Sequence, residues 1–136
     1  MMRAVLDVNV LVSALISRTG SPAELLRRGL DGEFEVVVSP LLRFELERVL
    51  STAKLRSRIS AEFADRAVTG LVANSLGVED PEIRLIKSPD PDDDYLIALA
   101  SSAGAALVSG DKHLLGLEGS IPVYSPAAFR DLLDAR

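Results

Sequence analysis

The chain has 136 residues, 48% hydrophobic and 26% charged, with 15 basic and 20 acidic side chains and a formal net charge of -5. That length suits a single domain, residues 1–136, large enough for a real hydrophobic core. The absence of cysteine excludes disulfides, thiolate metal sites and cysteine nucleophiles, and the acidic balance excludes a broadly basic nucleic-acid binder, though a local cluster of metal-binding carboxylates would itself make a protein acidic.

The opening Met1-Met2-Arg3-Ala4-Val5-Leu6-Asp7 meets an acidic residue too soon for a signal peptide. No apolar run reaches the length of a membrane span, so a soluble, cytoplasmic protein with no membrane partner is expected. Ala4-Val5-Leu6 is a short continuous apolar run, as in a strand covered on both faces, and it ends at Asp7. Asn9 then stands where a cap would, ahead of a helix through Val10 to Ile16. Thr19-Gly20-Ser21-Pro22 breaks the pattern, and Ala23 to Leu30 forms a second helical stretch. Phe34 to Val38 is the next strand, followed by Ser39-Pro40, a cap with proline in the first helical turn.

In the helix opened by Ser39-Pro40, Leu42, Leu46, Val49 and Leu50 make an inward stripe, with Glu45 inside it and Glu47 and Arg48 on the outward side. A carboxylate within an apolar stripe is poorly explained by solvation. Ala53 to Ser60 carries Lys54, Arg56 and Arg58, which fit either a solvated helical hairpin or a surface for phosphates. A further helix is expected over about 61–75, and Glu82 to Ile86 reads as a short strand.

The densest acidic stretch, Ser88-Pro89-Asp90-Pro91-Asp92-Asp93-Asp94-Tyr95, runs into an apolar helical pattern. Asp90 reads as the cap and Pro91 as the first helical residue. At about 100° per residue, Asp93 falls on the stripe of Leu96, Ile97, Ala100 and Gly104, Asp94 toward Ala98 and Ser101, and Asp92 on the opposite flank. Ala105 to Ser109 is another buried strand, after which Asp111 repeats the placement of Asp7. Ile121 to Tyr124 suits an edge strand, and Pro126 to Leu133 a closing helix.

Strands alternating with helices, the strands continuously apolar, predict an α/β fold with a parallel sheet covered by helices. Ligands in such sheets collect beyond the strand carboxyl ends. Asp7 and Asp111 end strands, while Glu45 and Asp93 lie on the first or second turn of helices that follow the sheet's upper edge, so all four are expected there. Their mutual repulsion would be relieved by a hard divalent cation, and oxygen-only ligation points to Mg²⁺ or Mn²⁺. Taken singly, each acid also fits a turn, cap or solvated helix position. The lone His113 suits a surface or capping group, and no serine triad, Gly-x-Ser-x-Gly elbow, dinucleotide fingerprint or P-loop is present.

The order and spacing of these motifs resemble the PIN-domain family, specifically the toxin components of toxin-antitoxin pairs related to the VapC ribonucleases. Leu6 to Ala14 resembles the family's opening motif, Ser39-Pro40 through Glu45 and Val49-Leu50 its second, Asp90-Pro91-Asp92-Asp93 with Ala100 its third, and Val108 to Leu115 its fourth. Ile121 to Phe129 resembles the usual ending. The resemblance implies a three-layer α/β/α fold with a central parallel sheet of four to five strands. It also implies a metal-dependent endoribonuclease leaving 5′-phosphate and 3′-hydroxyl ends. Asp7, Glu45, Asp93 and Asp111 match the acids that hold Mg²⁺ or Mn²⁺, with Asp94 a possible auxiliary ligand and Asn9 and Ser109 in supporting positions. Lys54, Arg56, Arg58 and Lys112 are the candidate RNA contacts. A cognate antitoxin and a homodimer are further expectations of the resemblance. Rival readings are a non-catalytic PIN-like protein that binds RNA or antitoxin, and a phosphohydrolase of the haloacid-dehalogenase kind. Asn9 speaks against the second, since that chemistry wants an aspartate two residues after the first.

Overall fold

The first strand, β1 (Arg3–Leu6), is buried from Ala4 onward and occupies the centre of the sheet. The structure is a computed structural model that describes residues 1–81, 94–111 and 121–136. Five strands, β1, β2 (Glu35–Val38), β3 (Leu76–Gly77), β4 (Ala106–Val108) and β5 (Val123–Tyr124), line up in the order β3-β2-β1-β4-β5, every neighbouring pair parallel. Parallel strands need crossovers, which the helices α1 (Val8–Ile16), α2 (Ser21–Leu30), α3 (Pro40–Leu50), α4 (Ala53–Arg56), α5 (Ala61–Ala73) and α6 (Asp94–Ala103) help to supply, with α7 (Pro126–Asp134) after the last strand. The architecture is the three-layer α/β/α arrangement expected from the alternation of strands and helices.

Chain order creates the position of interest. From β1 the sheet grows outward through β2 to β3, then the chain returns to the other side of β1 to add β4 and β5. The direction of winding reverses between β1 and β4, and the crevice at their carboxyl ends is where open parallel sheets place ligands. The register Leu6↔Val108 brings Asp7 and Ser109 side by side at that crevice, tied by the Asp7 N–H donating to the Val108 carbonyl at 2.9 Å.

Local chemistry accounts for most element ends. Ser39 accepts from the Leu42 N–H and Ser125 from the Ala128 N–H, each with proline in the first turn of the helix it caps. The cap of α1 is Asp7 rather than the expected Asn9. Asp7 Oδ1 accepts from the Asn9 N–H at 3.0 Å, which starts the helix two residues earlier and leaves Asn9 exposed inside it. Gly29 lets α2 approach β2, because a Cβ there would lie 2.5 Å from Val36 Cγ2 and 2.9 Å from the Phe34 ring. Phe34 and Phe129 meet edge to face at 5.2 Å and lock α7 onto the same corner of the core. Arg28 ties α2 to α7 through Asp134 at 2.8 Å, and also pairs with Glu24 on its own helix and Glu33 just after it at 3.2 and 2.9 Å. Its hydrogen bonds donated to Glu33 and then Asp134 hold its guanidinium above the usual arginine range.

Three features were not expected. The strand on the β2 side is Leu76–Gly77, two residues with no β-branched run to announce it; the expected strand over Glu82 to Ile86 lies outside the described residues. The helix α6 is buried continuously from Leu96 to Ala100, so its inward surface is wider than a single stripe, while the expected phase of Asp92 and Asp93 falls outside the described residues. The basic segment after α3 contains one short helix, α4, ahead of α5. Among the described residues, no helix is long and apolar enough to cross a membrane.

Candidate active site

Asp7 is the best-defined group at the crevice. It is 6% exposed, and both oxygens are engaged by neutral donors: Oδ1 by the Asn9 N–H at 3.0 Å and Oδ2 by the Ser109 hydroxyl at 2.7 Å. Ser109 is fully buried, and its Oγ also accepts from the Asp111 N–H at 3.0 Å. One hydroxyl therefore fixes the Asp7 carboxylate and the backbone entering Asp111. Hydrogen bonds from neutral groups orient a buried carboxylate without cancelling its charge, which favours a cation nearby.

A cavity of about 520 Å³ opens beside Asp7, lined by Val8, Asn9, Leu41, Glu45, Arg48, Val49, Tyr95 and Leu96. Glu45 reaches it from α3 because Leu42, Leu46 and Leu50 commit the adjacent face of that helix to the core. Its side chain is 29% exposed. It stands at the edge of the inward stripe next to the half-buried Val49, on the side turned toward Asp7. Sequence reasoning thus finds Glu45 but misses Arg48, which lines the cavity rather than facing away from it. Arg48 Nη2 and Nε both donate to Glu45 Oε2, at 3.0 and 3.3 Å. The signal was present as an acid followed three positions later by a base, which puts the two on neighbouring turns of one helix.

The other candidates divide. Asn9 lines the cavity and supplies its backbone N–H to Asp7, while Ser109 acts directly through its hydroxyl. Asp111 is half-buried and joined to the site through the Ser109 contact. Asp90, Asp92, Asp93, Lys112 and His113 lie outside the described residues, and Asp94 is described only as the first residue of α6. Lys54 and Arg56 sit on α4, beyond the end of α3, and do not line the cavity. Arg58 lines a separate groove with Arg18, Ile59 and Phe63 at the far end of α1.

The donors suit a hard cation in kind. Asp7 and Glu45 present carboxylate oxygens to one polar cavity, with no sulfur or imidazole among its described lining residues. Among the described residues, no three acidic, histidine or cysteine side chains come together closely enough to form a complete metal site. Two carboxylates with fixed orientation are the part of such a site that the described residues supply.

Comparisons with known proteins agree with this architecture. The family described as PIN domain matches residues 3–113. The chain is 26% identical over 115 residues to the uncharacterized protein MJ1680 of Methanocaldococcus jannaschii, a match covering 85% of this chain and 74% of that one. Among solved structures it is similar to PAE2754 from Pyrobaculum aerophilum, with a TM-score of 0.69 and 18% identity over 99% of this chain and 91% of that one. It is also similar to a chain of VapBC2 from Rickettsia felis, bound to a DNA fragment from the promoter, with a TM-score of 0.64 and 16% identity over 90% and 97% of the two chains. A chain of DNA-bound VapBC from Salmonella typhimurium gives a TM-score of 0.67 and 14% identity over 93% and 99%.

Proposed function

The chain belongs to the PIN-domain family, and from that premise we propose that it is a metal-dependent endoribonuclease, the toxin of a toxin-antitoxin pair. The observation that carries the reading is the buried Asp7 carboxylate, fixed by Ser109 at the sheet's switch point and sharing a polar cavity with Glu45. Such a cavity repels a phosphodiester until a cation is bound, which makes activity conditional on metal.

Asp7 and Glu45 would hold Mg²⁺ or Mn²⁺, with Asp93 and Asp111 completing the ligand set and Asp94 as an auxiliary donor. A divalent cation bound by them supplies Lewis-acid charge stabilisation and a more acidic water for phosphodiester hydrolysis. The chain's own contribution is orientation. Ser109 holds one Asp7 oxygen and the start of α1 holds the other, so the carboxylate need not reorganise when the substrate arrives. Burial beneath the sheet edge keeps Asp7 out of bulk water, which strengthens its attraction for a cation.

Two of the structures to which this chain is similar are of VapBC, and by that likeness we propose a cognate antitoxin for the protein; a homodimer is proposed from the family resemblance alone. The reading is tested by incubating EDTA-stripped protein with single-stranded RNA, single-stranded DNA and p-nitrophenyl phosphate, with and without Mn²⁺. Internal cleavage of RNA restored by Mn²⁺ is expected. Phosphate release from the small ester without RNA cleavage would replace the reading with a phosphohydrolase.

A further inference from the structure

We propose that Arg48 is a catalytic residue of this site, a phosphate clamp that binds a non-bridging oxygen of the scissile phosphodiester while remaining alongside Glu45. The inference rests on the ribonuclease reading above and goes beyond it, since it assigns a substrate contact to a residue outside the acidic set. Three features of the structure support it. Arg48 lines the same cavity as Asp7 and Glu45, and it is the one cation among the described lining residues. Its Nε and Nη2 both address Glu45 Oε2, so Arg48 leaves Oε1 of that carboxylate to another partner and the two roles of Glu45 do not exclude each other. The Arg48 side chain is 58% exposed at the cavity mouth, against 29% for Glu45, so the cation stands on the side from which a nucleic-acid strand arrives.

Charge decides why such a residue is needed. The Asp7 and Glu45 carboxylates alone cancel a divalent cation, and with Asp93 and Asp111 in the ligand set the loaded site is negative, so the approaching phosphate meets no surplus attraction from the metal. Arg48 offsets one of those charges at the cavity. Guanidinium is suited to this because it stays charged at any working pH and presents planar N–H groups to phosphate oxygens.

The test compares Arg48→Gln with Arg43→Gln, a matched loss of charge on the same helix, where Arg43 pairs instead with Glu47 at 3.3 Å. Three quantities are measured: Mn²⁺ affinity of the EDTA-stripped protein by calorimetry, binding of a fluorescein-labelled single-stranded RNA with Ca²⁺ replacing Mn²⁺, and cleavage at saturating Mn²⁺. Arg48→Gln should bind RNA about tenfold more weakly and lower kcat by about 100-fold, the size of effect seen when one preorganised electrostatic stabiliser is removed. Its Mn²⁺ affinity should hold or rise a few-fold, because a competitor for Glu45 is gone. Arg43→Gln should stay within about twofold of wild type in all three measurements, as expected for an exposed pair. Unchanged RNA affinity in Arg48→Gln, or a fall in Mn²⁺ affinity, would overturn the inference, the latter by making Arg48 a support for Glu45. Wild-type protein that binds RNA through Arg48 but never cleaves it would overturn the ribonuclease reading and the catalytic role together, leaving a binding role; wild-type protein that does not bind RNA overturns both outright.

Discussion

Ser109→Ala is the substitution whose consequences the structure fixes most closely. It deletes the 2.7 Å hydrogen bond from a fully buried hydroxyl to the Asp7 carboxylate and the acceptor lying 3.0 Å from the Asp111 N–H. A hydrogen bond to a charged group contributes about 1.5–3 kcal/mol, so the variant should lose about 2 kcal/mol of stability. With a urea m-value of about 2 kcal/mol per molar, the unfolding midpoint should fall by about 1 M. Losing the group that orients a ligating carboxylate should also weaken Mn²⁺ binding by about 10–100-fold. Ser109→Thr keeps the hydroxyl and should retain most of that affinity. Urea unfolding followed by circular dichroism and Mn²⁺ calorimetry read the two effects separately. In an Asp7→Asn background the cost of Ser109→Ala should shrink by about 1 kcal/mol, because the charged partner is gone. A Ser109→Ala protein with unchanged midpoint and unchanged Mn²⁺ affinity would refute the orienting role of this bond.

Gly29→Ala should destabilise the fold by about 1–3 kcal/mol without altering Mn²⁺ affinity, since the added Cβ would lie 2.5 Å from Val36 Cγ2 and the strain is remote from the cavity; a neutral midpoint in urea would show that α2 moves away freely. Mn²⁺ at about 100 times its dissociation constant should add about 2.7 kcal/mol to wild-type stability, and Asp7→Asn should remove that gain, a comparison read by unfolding with and without metal. Among the consecutive acids, Asp93→Asn should abolish metal-dependent cleavage, Asp94→Asn should be intermediate and Asp92→Asn nearly silent. An inactive Asp92 variant beside an active Asp93 variant would reverse that assignment.

The legible part of this protein is the part written in local pattern. Apolar runs ending in an acid located β1 with Asp7 and β4 with Ser109 and Asp111 beyond it, and the stripe of Leu42, Leu46, Val49 and Leu50 singled out Glu45 as a carboxylate within it, which the structure moves to its edge. The Ser39-Pro40 and Ser125-Pro126 starts were readable because cap and proline act within one turn. What escaped depends on contacts that local pattern does not encode. The Ser109–Asp7 hydrogen bond joins residues 102 positions apart and exists only because β1 and β4 pair in one register. Arg48 looked solvated because helical phase reports which face is buried, not which part of the exposed face borders a cavity. Strand β3 was missed because two residues, one of them Gly77, acquire extended structure from pairing with Val37 and Val38 rather than from their own preference. The Asn9 cap failed by two positions, since the Asp7 carboxylate accepts from the Asn9 N–H and starts the helix at Val8.

In the proposed mechanism, RNA cleavage depends on a divalent cation held by carboxylates that include Asp7. The dependence is measured most directly by cleavage of one labelled single-stranded RNA by wild-type and Asp7→Asn protein across an Mn²⁺ titration after EDTA treatment. No cleavage by either protein is expected without metal, saturable cleavage by wild type, and none by Asp7→Asn at any Mn²⁺ concentration although its fold persists. Cleavage that survives EDTA, or matching curves for the two proteins, would contradict that mechanism.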